Sequence, residues 1–456
     1  MKYVLIFLFL FLAVFPARAE KIAIAVLDLD AKGEGLSQGV ADALTETVRY
    51  EFAKQESIDL VAREKMRDLA KEKAIQLSGC TDVACAVQIG KALNVQKMVM
   101  GSVTKLGINY SLFLRIVDIE KENIECGEKQ ETEGEISNIV KAVPVFVRQI
   151  TDCVWLKKGR EAVQQKPHDY GAHYLLGDVL WKQEKYEESE NELREVIRIK
   201  PDHYDGHCAL GCVLAAQGKL EDAVKEFDEA VRNNPRLAKG HYYLAMALRE
   251  QGNLEEAEKK CREAVRLEPA KATAHLFLGA ILSAQNKSLN EVEKEYRIAI
   301  RLEPNDAEAH RLLGDVLNSQ MKYAEADQEY RVALRFDPTL APAHFGLGVV
   351  LNENKRFEEA EKEFRESIRL DPKIHSAYFS LGFALSEQGK FPESEVMFRE
   401  AVRLSPADPE PYVWLALVLD MQKKRKEARE YLEQALKIEK DPDKLDYIKK
   451  RIKEKD

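Results

Sequence analysis

Hydrophobic positions follow three successive rhythms along this chain. Residues 4–15 are nearly all apolar. Residues 21–131 mix short apolar runs of strand character with stretches spaced for amphipathic helices, and from about residue 154 only the helical spacing remains. In the middle stretch, residues 21–29 (KIAIAVLDL) predict a buried strand that ends at Gly33 and Gly35, and Leu36, Val40, Leu44, Val48 and Phe52 then mark one face of a helix. A short strand over 58–61 precedes a helix through Met66, Leu69 and Ala74 and another over 83–93. Residues 95–103 and 109–119 predict a hairpin turning through Lys105-Leu106-Gly107, residues 124–131 a further strand, and 136–150 a closing helix.

The later rhythm is a strict repeat. Pro201, Pro235 and Pro269 lie 34 residues apart; after one step of 35 to Pro304 the spacing of 34 resumes at Pro338, Pro372 and Pro406. Small residues recur at the eighth place of each unit (Gly177, Gly211, Ala245, Gly279, Gly314, Gly348, Gly382, Ala416). Larger ones recur at the twenty-fourth, displaced by one in the fourth unit (Leu193, Phe227, Cys261, Tyr296, Tyr330, Phe364, Phe398, Leu432). Each proline stops a helix and resets the chain. A period of this length predicts stacked helix pairs, and these landmarks resemble tetratricopeptide repeats. Eight units start near residues 170, 204, 238, 272, 307, 341, 375 and 409, with the inserted residue in a longer turn around 286–290. The expected fold is an α/β N-terminal domain followed by an all-α tetratricopeptide superhelix. Its expected parts are a signal peptide (1–19), the α/β domain (20–150), a linker with a partial helical repeat (151–169), eight units (170–442) and a capping helix (443–456).

Composition places the molecule. Lys2, the apolar run and Ala17-Arg18-Ala19 read as a cleaved export signal, since the run is shorter than the roughly 20 residues that span a bilayer. No cysteine follows it to carry a lipid, and no later segment is apolar enough to cross a membrane, so the expected location is the periplasm or another exported compartment. The net charge of −9 argues against general nucleic-acid affinity. Seven cysteines leave at least one unpaired within the chain; Cys80 and Cys85 bracket a short polar turn and are the expected disulfide, whereas Cys208 and Cys212, four apart on a helix, read as packing residues.

The first domain also resembles a family. The stretches IAVLDLDAKGEGLSQGVADALTETV, VAREKMRDLAKEKAIQLSGCTDVACAVQIGKALNVQKMVMGSVTKLG and SLFLRIVDIEKENI look like the periplasmic α/β domain of the curli-secretion CsgG family, with the N-terminal domain of TolB as a structural cousin. That resemblance implies an envelope domain that builds assemblies and has no catalytic site. The lipid-attachment cysteine and membrane-inserting hairpins of the family's pore-forming members are not seen in this sequence, so no secretion channel is implied.

No constellation for catalysis, cofactor or metal emerges. Asp28 and Asp30 end the first strand, but no phosphate-cradling glycine motif follows, and no histidine precedes His168. His173, His207, His241, His275, His310 and His344 all take the fourth place of successive units, with Tyr378 and Tyr412 there in the last two. Units stacked about 10 Å apart cannot share a zinc that needs nitrogens about 2 Å away, so these read as half-buried packing residues whose pKa burial would lower. The inner face of the superhelix is expected to carry Tyr174, Asp178, Tyr242, Met246, Arg311, Asp315, Phe345, Phe379 and Phe383, a mostly apolar groove with a polar break at Arg311 and Asp315. The lysine and asparagine clamp with which some repeat proteins hold a C-terminal carboxylate is absent from these places. A non-enzymatic envelope scaffold binding protein or peptide partners with apolar anchors fits best. A self-assembling homo-oligomeric component is the alternative, and a regulatory subunit of an envelope enzyme a more distant one.

Overall fold

A computed structural model describes residues 21–33, 36–55, 57–72, 82–133 and 135–453. It divides into two compact units, residues 1–235 and 236–456. The expected signal peptide and Cys80, with its pairing to Cys85, lie outside the described residues.

The first unit opens with β1 (Ile22–Val26), where the expected strand breaks, and the chain rejoins the same edge of β4 one residue out of step as β2 (Asp30–Lys32). Then come α1 (Gln38–Ala53), β3 (Ile58–Leu60), α2 (Arg63–Glu72), α3 (Val83–Leu93), β4 (Lys97–Leu106), β5 (Asn109–Asp118) and β6 (Asn123–Glu133). The strands form one mixed sheet in the order β3-β1-β4-β5-β6, with β2 also on β4. β1 pairs in parallel with β3 and β4, whereas β4, β5 and β6 form an antiparallel meander. Alternation along the strands serves two cores. Ile22, Ile24, Val26, Val99 and Val103 face α1, while Ala25, Leu27, Met98 and Met100 face α2 and α3. Buried Arg49 of α1 ties strand ends together by donating to the carbonyls of Val26 (2.8 Å) and Val61 (2.7 Å).

Residues 151–165, expected as a linker, continue the closing helix. α4 (Ile136–Gln165) is a single helix of 30 residues, about 45 Å long. Ile139, Val143, Phe146, Val147 and Ile150 cover the sheet, and Trp155 joins the same core as Val179 of the first repeat, which explains why the helix does not stop at residue 150. A disulfide that sequence reasoning missed, Cys126–Cys153, fastens β6 to α4 with a Cα–Cα distance of 6.2 Å.

Seventeen helices follow among the described residues. In the first unit these are α5 (Tyr170–Lys182), α6 (Tyr186–Ile199), α7 (Tyr204–Ala216) and α8 (Leu220–Asn233). The second unit holds α9 (Ala238–Glu250), α10 (Leu254–Leu267), α11 (Ala272–Ala284), α12 (Leu289–Leu302), α13 (Ala307–Ser319), α14 (Tyr323–Phe336), α15 (Ala341–Glu353), α16 (Phe357–Leu370), α17 (His375–Glu387), α18 (Phe391–Leu404), α19 (Glu410–Met421), α20 (Arg425–Ile438) and α21 (Pro442–Lys453). The inserted residue lengthens the turn between α11 and α12.

In the six pairs with glycine at the eighth place, that glycine meets the twenty-fourth residue directly, a ring in all but Gly177, which meets Leu193. A Cβ on Gly348 would lie 2.6 Å from the Phe364 ring, and one on Gly279 2.4 Å from the Tyr296 ring. The ring of the second helix therefore rests on the bare backbone of the first. Where the first helix carries alanine instead, at Ala245 and Ala416, the facing residue is Cys261 or Leu432, which has no ring.

Second helices are stitched to the next unit by charge. Glu293 accepts from Arg297 four residues on (2.8 Å) and from Lys322 of the following pair (3.0 Å). Glu190 with Arg194 and Lys219, Glu361 with Arg365 and Lys390, and Glu395 with Arg399 and Lys424 repeat the arrangement. Burial works against ionisation of Glu293, but these donors outweigh it and hold the carboxyl at about 2.

Candidate functional site

Two features recur on the first helices: a hydrogen-bonded histidine and a stripe of side chains four residues apart. The histidines are buried or half-buried, as expected, but they do more than pack. His207 Nε2 lies 2.8 Å from the carbonyl of Pro201 and its Nδ1 2.7 Å from a Glu226 oxygen. The same pair of contacts joins His173 to Pro167 and Glu192, His275 to Pro269 and Glu295, His310 to Pro304 and Glu329, and His344 to Pro338 and Glu363.

A carbonyl only accepts, so Nε2 must carry a proton and donate. With Nδ1 at a glutamate carboxylate as well, each of these five histidines clasps the inter-repeat proline loop to a second helix. For His207 and His344, burial alone would lower the pKa, as anticipated. The carboxylate and the proline carbonyl overturn that, and the net direction is upward. Tyr412 replaces the clasp with its hydroxyl, which donates to the Pro406 carbonyl at 3.1 Å. Among the described residues no group of three His, Cys, Asp or Glu is placed to hold a metal.

The stripe contains the predicted groove residues, which the structure sorts into three kinds. Asp178 and Met246 are buried, so neither presents a surface to a ligand. Asp178 is turned to Lys182 at 2.9 Å, and burial raises its pKa. Arg311 and Asp315 are committed to each other and to their neighbours. Arg311 pairs with Glu308 and Asp315, and Asp315 also accepts from the Tyr330 hydroxyl at 2.7 Å. The polar break is thus a closed network.

The remaining five side chains, Tyr174, Tyr242, Phe345, Phe379 and Phe383, are half-buried aromatics. Each rests on a further ring. Tyr174 meets His203 at 5.5 Å, Tyr242 meets Phe277 at 5.2 Å, and Phe345 meets Phe364 at 6.0 Å. Phe379 meets Phe398 at 5.6 Å and Phe383 meets Trp414 at 5.0 Å.

Within the second unit the first helices α13, α15, α17 and α19 touch in sequence, which brings Phe345, Phe379 and Phe383 onto neighbouring helices of one surface. Sequence reasoning missed Trp414, which supports Phe383 from the sixth place of its unit, a place with no regular pattern. The second-helix side has a shallow cleft of about 530 Å³ lined by Asn290, Glu293, Arg297, Arg301, Leu313 and Glu329, but Glu293 and Arg297 are already engaged there by ion pairs.

Comparison with known families finds the same repeats. Tetratricopeptide-repeat models match residues 170–203, 208–275, 293–341, 341–374 and 385–452. No curated protein sequence matches the chain. Among solved structures, YrrB, a tetratricopeptide-repeat protein described as having an unusual peptide-binding site, is 20% identical over 41% of this chain and 95% of its own, with a TM-score of 0.36. PilF of Pseudomonas aeruginosa is 19% identical over 47% of this chain and 96% of its own, with a TM-score of 0.42. A tetratricopeptide-repeat protein of Parabacteroides merdae is 17% identical over 55% of this chain and 98% of its own, with a TM-score of 0.43.

Proposed function

Because the chain is built from tetratricopeptide repeats over the greater part of its length, we propose that it is a non-catalytic scaffold of the cell envelope that holds a protein partner on its first-helix face. The observation that carries this reading is the surface of α15, α17 and α19. Half-buried Phe345, Phe379 and Phe383 each have one side supported by a ring beneath and the other part-open to solvent. Aromatic side chains already held in place lose little freedom on binding, which makes them efficient anchors for apolar groups of a partner.

The envelope setting rests on the export-signal pattern of residues 1–19 and on the resemblance of the first domain to the CsgG family. The Cys126–Cys153 disulfide supports it, since such bonds persist in oxidising compartments. No helix among the described residues is long and apolar enough to cross a membrane. The sheet region then contacts a second component. Exposed Leu106 and Ile108 at the β4–β5 tip favour a further reading, self-association through that region.

Photo-crosslinking residues placed at Phe345 and Phe379 in cells, compared with one at exposed Arg369 on α16, test the proposal. Crosslinks to an envelope protein from the first two positions and none from the third are expected. Equal yields, or none from Phe345 and Phe379, would overturn it. A ladder of products containing only this chain would favour self-association.

A further inference from the structure

We propose that the surface of α15, α17 and α19 takes a basic amphipathic segment, an apolar ridge flanked by Lys or Arg side chains. The inference rests on the reading that this face binds a protein partner, and it adds the partner's charge.

Charge is segregated inside these three repeats. The first helices α15, α17 and α19 contain Glu353, Glu387, Glu410 and Asp420 and not one Lys or Arg. The helical Lys and Arg of the same repeats all lie on the second helices α16, α18 and α20. There Arg365 bonds to Glu361 and Glu393, and Arg399 to Glu395 and Glu427. Three cations of the inter-helix turns also reach second-helix carboxylates: Arg356 to Glu359 (2.7 Å), Lys390 to Glu361 (2.8 Å) and Lys424 to Glu395 (2.7 Å). Lys355, Lys373 and Lys423 are the turn cations left closest in sequence to the first helices, each two residues from a helix end.

Of the four first-helix carboxylates, Glu353, Glu387 and Glu410 are exposed without an ion pair among the described residues, and the first two continue the aromatic stripes.

Their position gives them a role. Phe345, Val349 and Glu353 follow one another at intervals of four on α15, and Phe379, Phe383 and Glu387 do the same on α17. Side chains four apart lie on one helix face, so each stripe runs from aromatic to carboxylate. α15 and α17 are in contact, which sets the stripes side by side and makes an apolar floor with an acidic end. A helix or extended segment with apolar side chains toward that floor meets two unneutralised carboxylates where the floor ends. A cation there gains attraction in partly desolvated surroundings, whereas an anion is repelled. The absence of Lys and Arg from α15, α17 and α19, against their abundance on α16, α18 and α20, is what points to a partner supplying the missing charge.

The test uses two labelled peptides of about 18 residues, enough for five helical turns. Both carry the same leucine positions; one has lysine and the other glutamate at the polar ones. Fluorescence anisotropy with the full mature protein is expected to show the lysine peptide binding at least about tenfold more tightly, with affinity falling as salt rises. The exposed double variant Glu353→Lys, Glu387→Lys, verified as folded by circular dichroism, should reverse that preference. Phe379→Ala should weaken both peptides. Equal or tighter binding of the glutamate peptide overturns the charge inference and leaves the binding face standing. Lysine-peptide binding unchanged in the double variant also overturns it, by locating the basic site elsewhere. Binding of neither peptide sinks both the inference and the binding face.

Discussion

The sheet region and the repeats solve the same problem, burying apolar surface, with opposite geometries. In the sheet region a core residue finds partners from distant stretches: Ile22, Val48, Val99, Leu112 and Phe146 share one cluster. In the repeats the partners sit at fixed short separations. Gly348 meets Phe364, His344 meets Glu363, and Glu361 meets Lys390 of the next pair. A cluster assembled from distant segments responds as a whole to damage, whereas a stack of units passes damage only to its neighbours. The disulfide belongs to the first geometry, because it joins β6 to the helix that packs across the sheet.

The sharpest way to break this comparison is to cut that bond. Cys126→Ser should cost about 3 kcal/mol, the typical value for a loop of this size. Hydrogen exchange should rise across residues 97–150 together and stay unchanged over 307–404. A rise confined to β6, or one spread into the late repeats, would erase the distinction.

A smaller loss, about 1–3 kcal/mol, is expected from Gly348→Ala, whose new methyl group collides with the Phe364 ring. Adding Phe364→Leu should restore most of it, because Ala416 opposite Leu432 is that same combination in a natural unit. A double-mutant cycle by urea denaturation measures the coupling. Additive losses would show that the two places do not read each other.

The seam between the two geometries offers the next test. Asp152 of α4 lies close to Asp178 of the first repeat. Burial pushes Asp152 up to about 6, only partly opposed by Lys182 and Arg148. A carboxyl whose folded pKa lies above its ordinary 3.8 opposes folding once ionised; the penalty is absent below about 3.8 and complete above about 6. Asp152→Asn should therefore stabilise the protein at pH 7 by about 1 kcal/mol, less than the full shift implies because the site is part-exposed. The gain should fade between pH 6 and 4. A gain that persists at pH 4 would mean that packing, rather than ionisation, is responsible.

These differences also explain what was legible in the sequence. Unit starts placed near Tyr204, Ala272, Ala307, Ala341 and His375 coincide with helix starts, because eight copies of one local solution reinforce each other. The run through α4 could not be read, because its continuation past residue 150 depends on Trp155 meeting Val179, a contact no local pattern announces. Cys126–Cys153 was hidden for the same reason, since its partners come from a strand and a helix with no common spacing. Of the expected groove residues, the aromatics are half-buried on the first helices, and their places in the unit could be read from the period. The burial of Met246 and Asp178 could not, because the period fixes a side chain's direction and its neighbours' size decides exposure.

The histidine clasp is where the period showed a pattern and concealed its chemistry. Its sign lay at the twenty-third place, where Glu192, Glu226, Glu295, Glu329 and Glu363 face histidines, while Lys260 stands in the unit of His241, Tyr431 faces Tyr412 and Met397 stands in the unit of Tyr378. His207 and His344 have folded pKa values above the ordinary 6.5, so the stability they add is fully present below about 6.5 and is lost as pH rises through the folded value. His344→Tyr copies the last unit's solution, in which a hydroxyl bonds the proline carbonyl. It should cost roughly 0.5–1 kcal/mol at pH 6 and leave a shallower decline in Tm between pH 6 and 8. Glu363→Gln should flatten that decline too, because it removes the charge that favours the imidazolium. If both variants keep the parent slope, the clasp is a neutral hydrogen bond, and the repeats are as indifferent to pH as their periodicity alone would suggest.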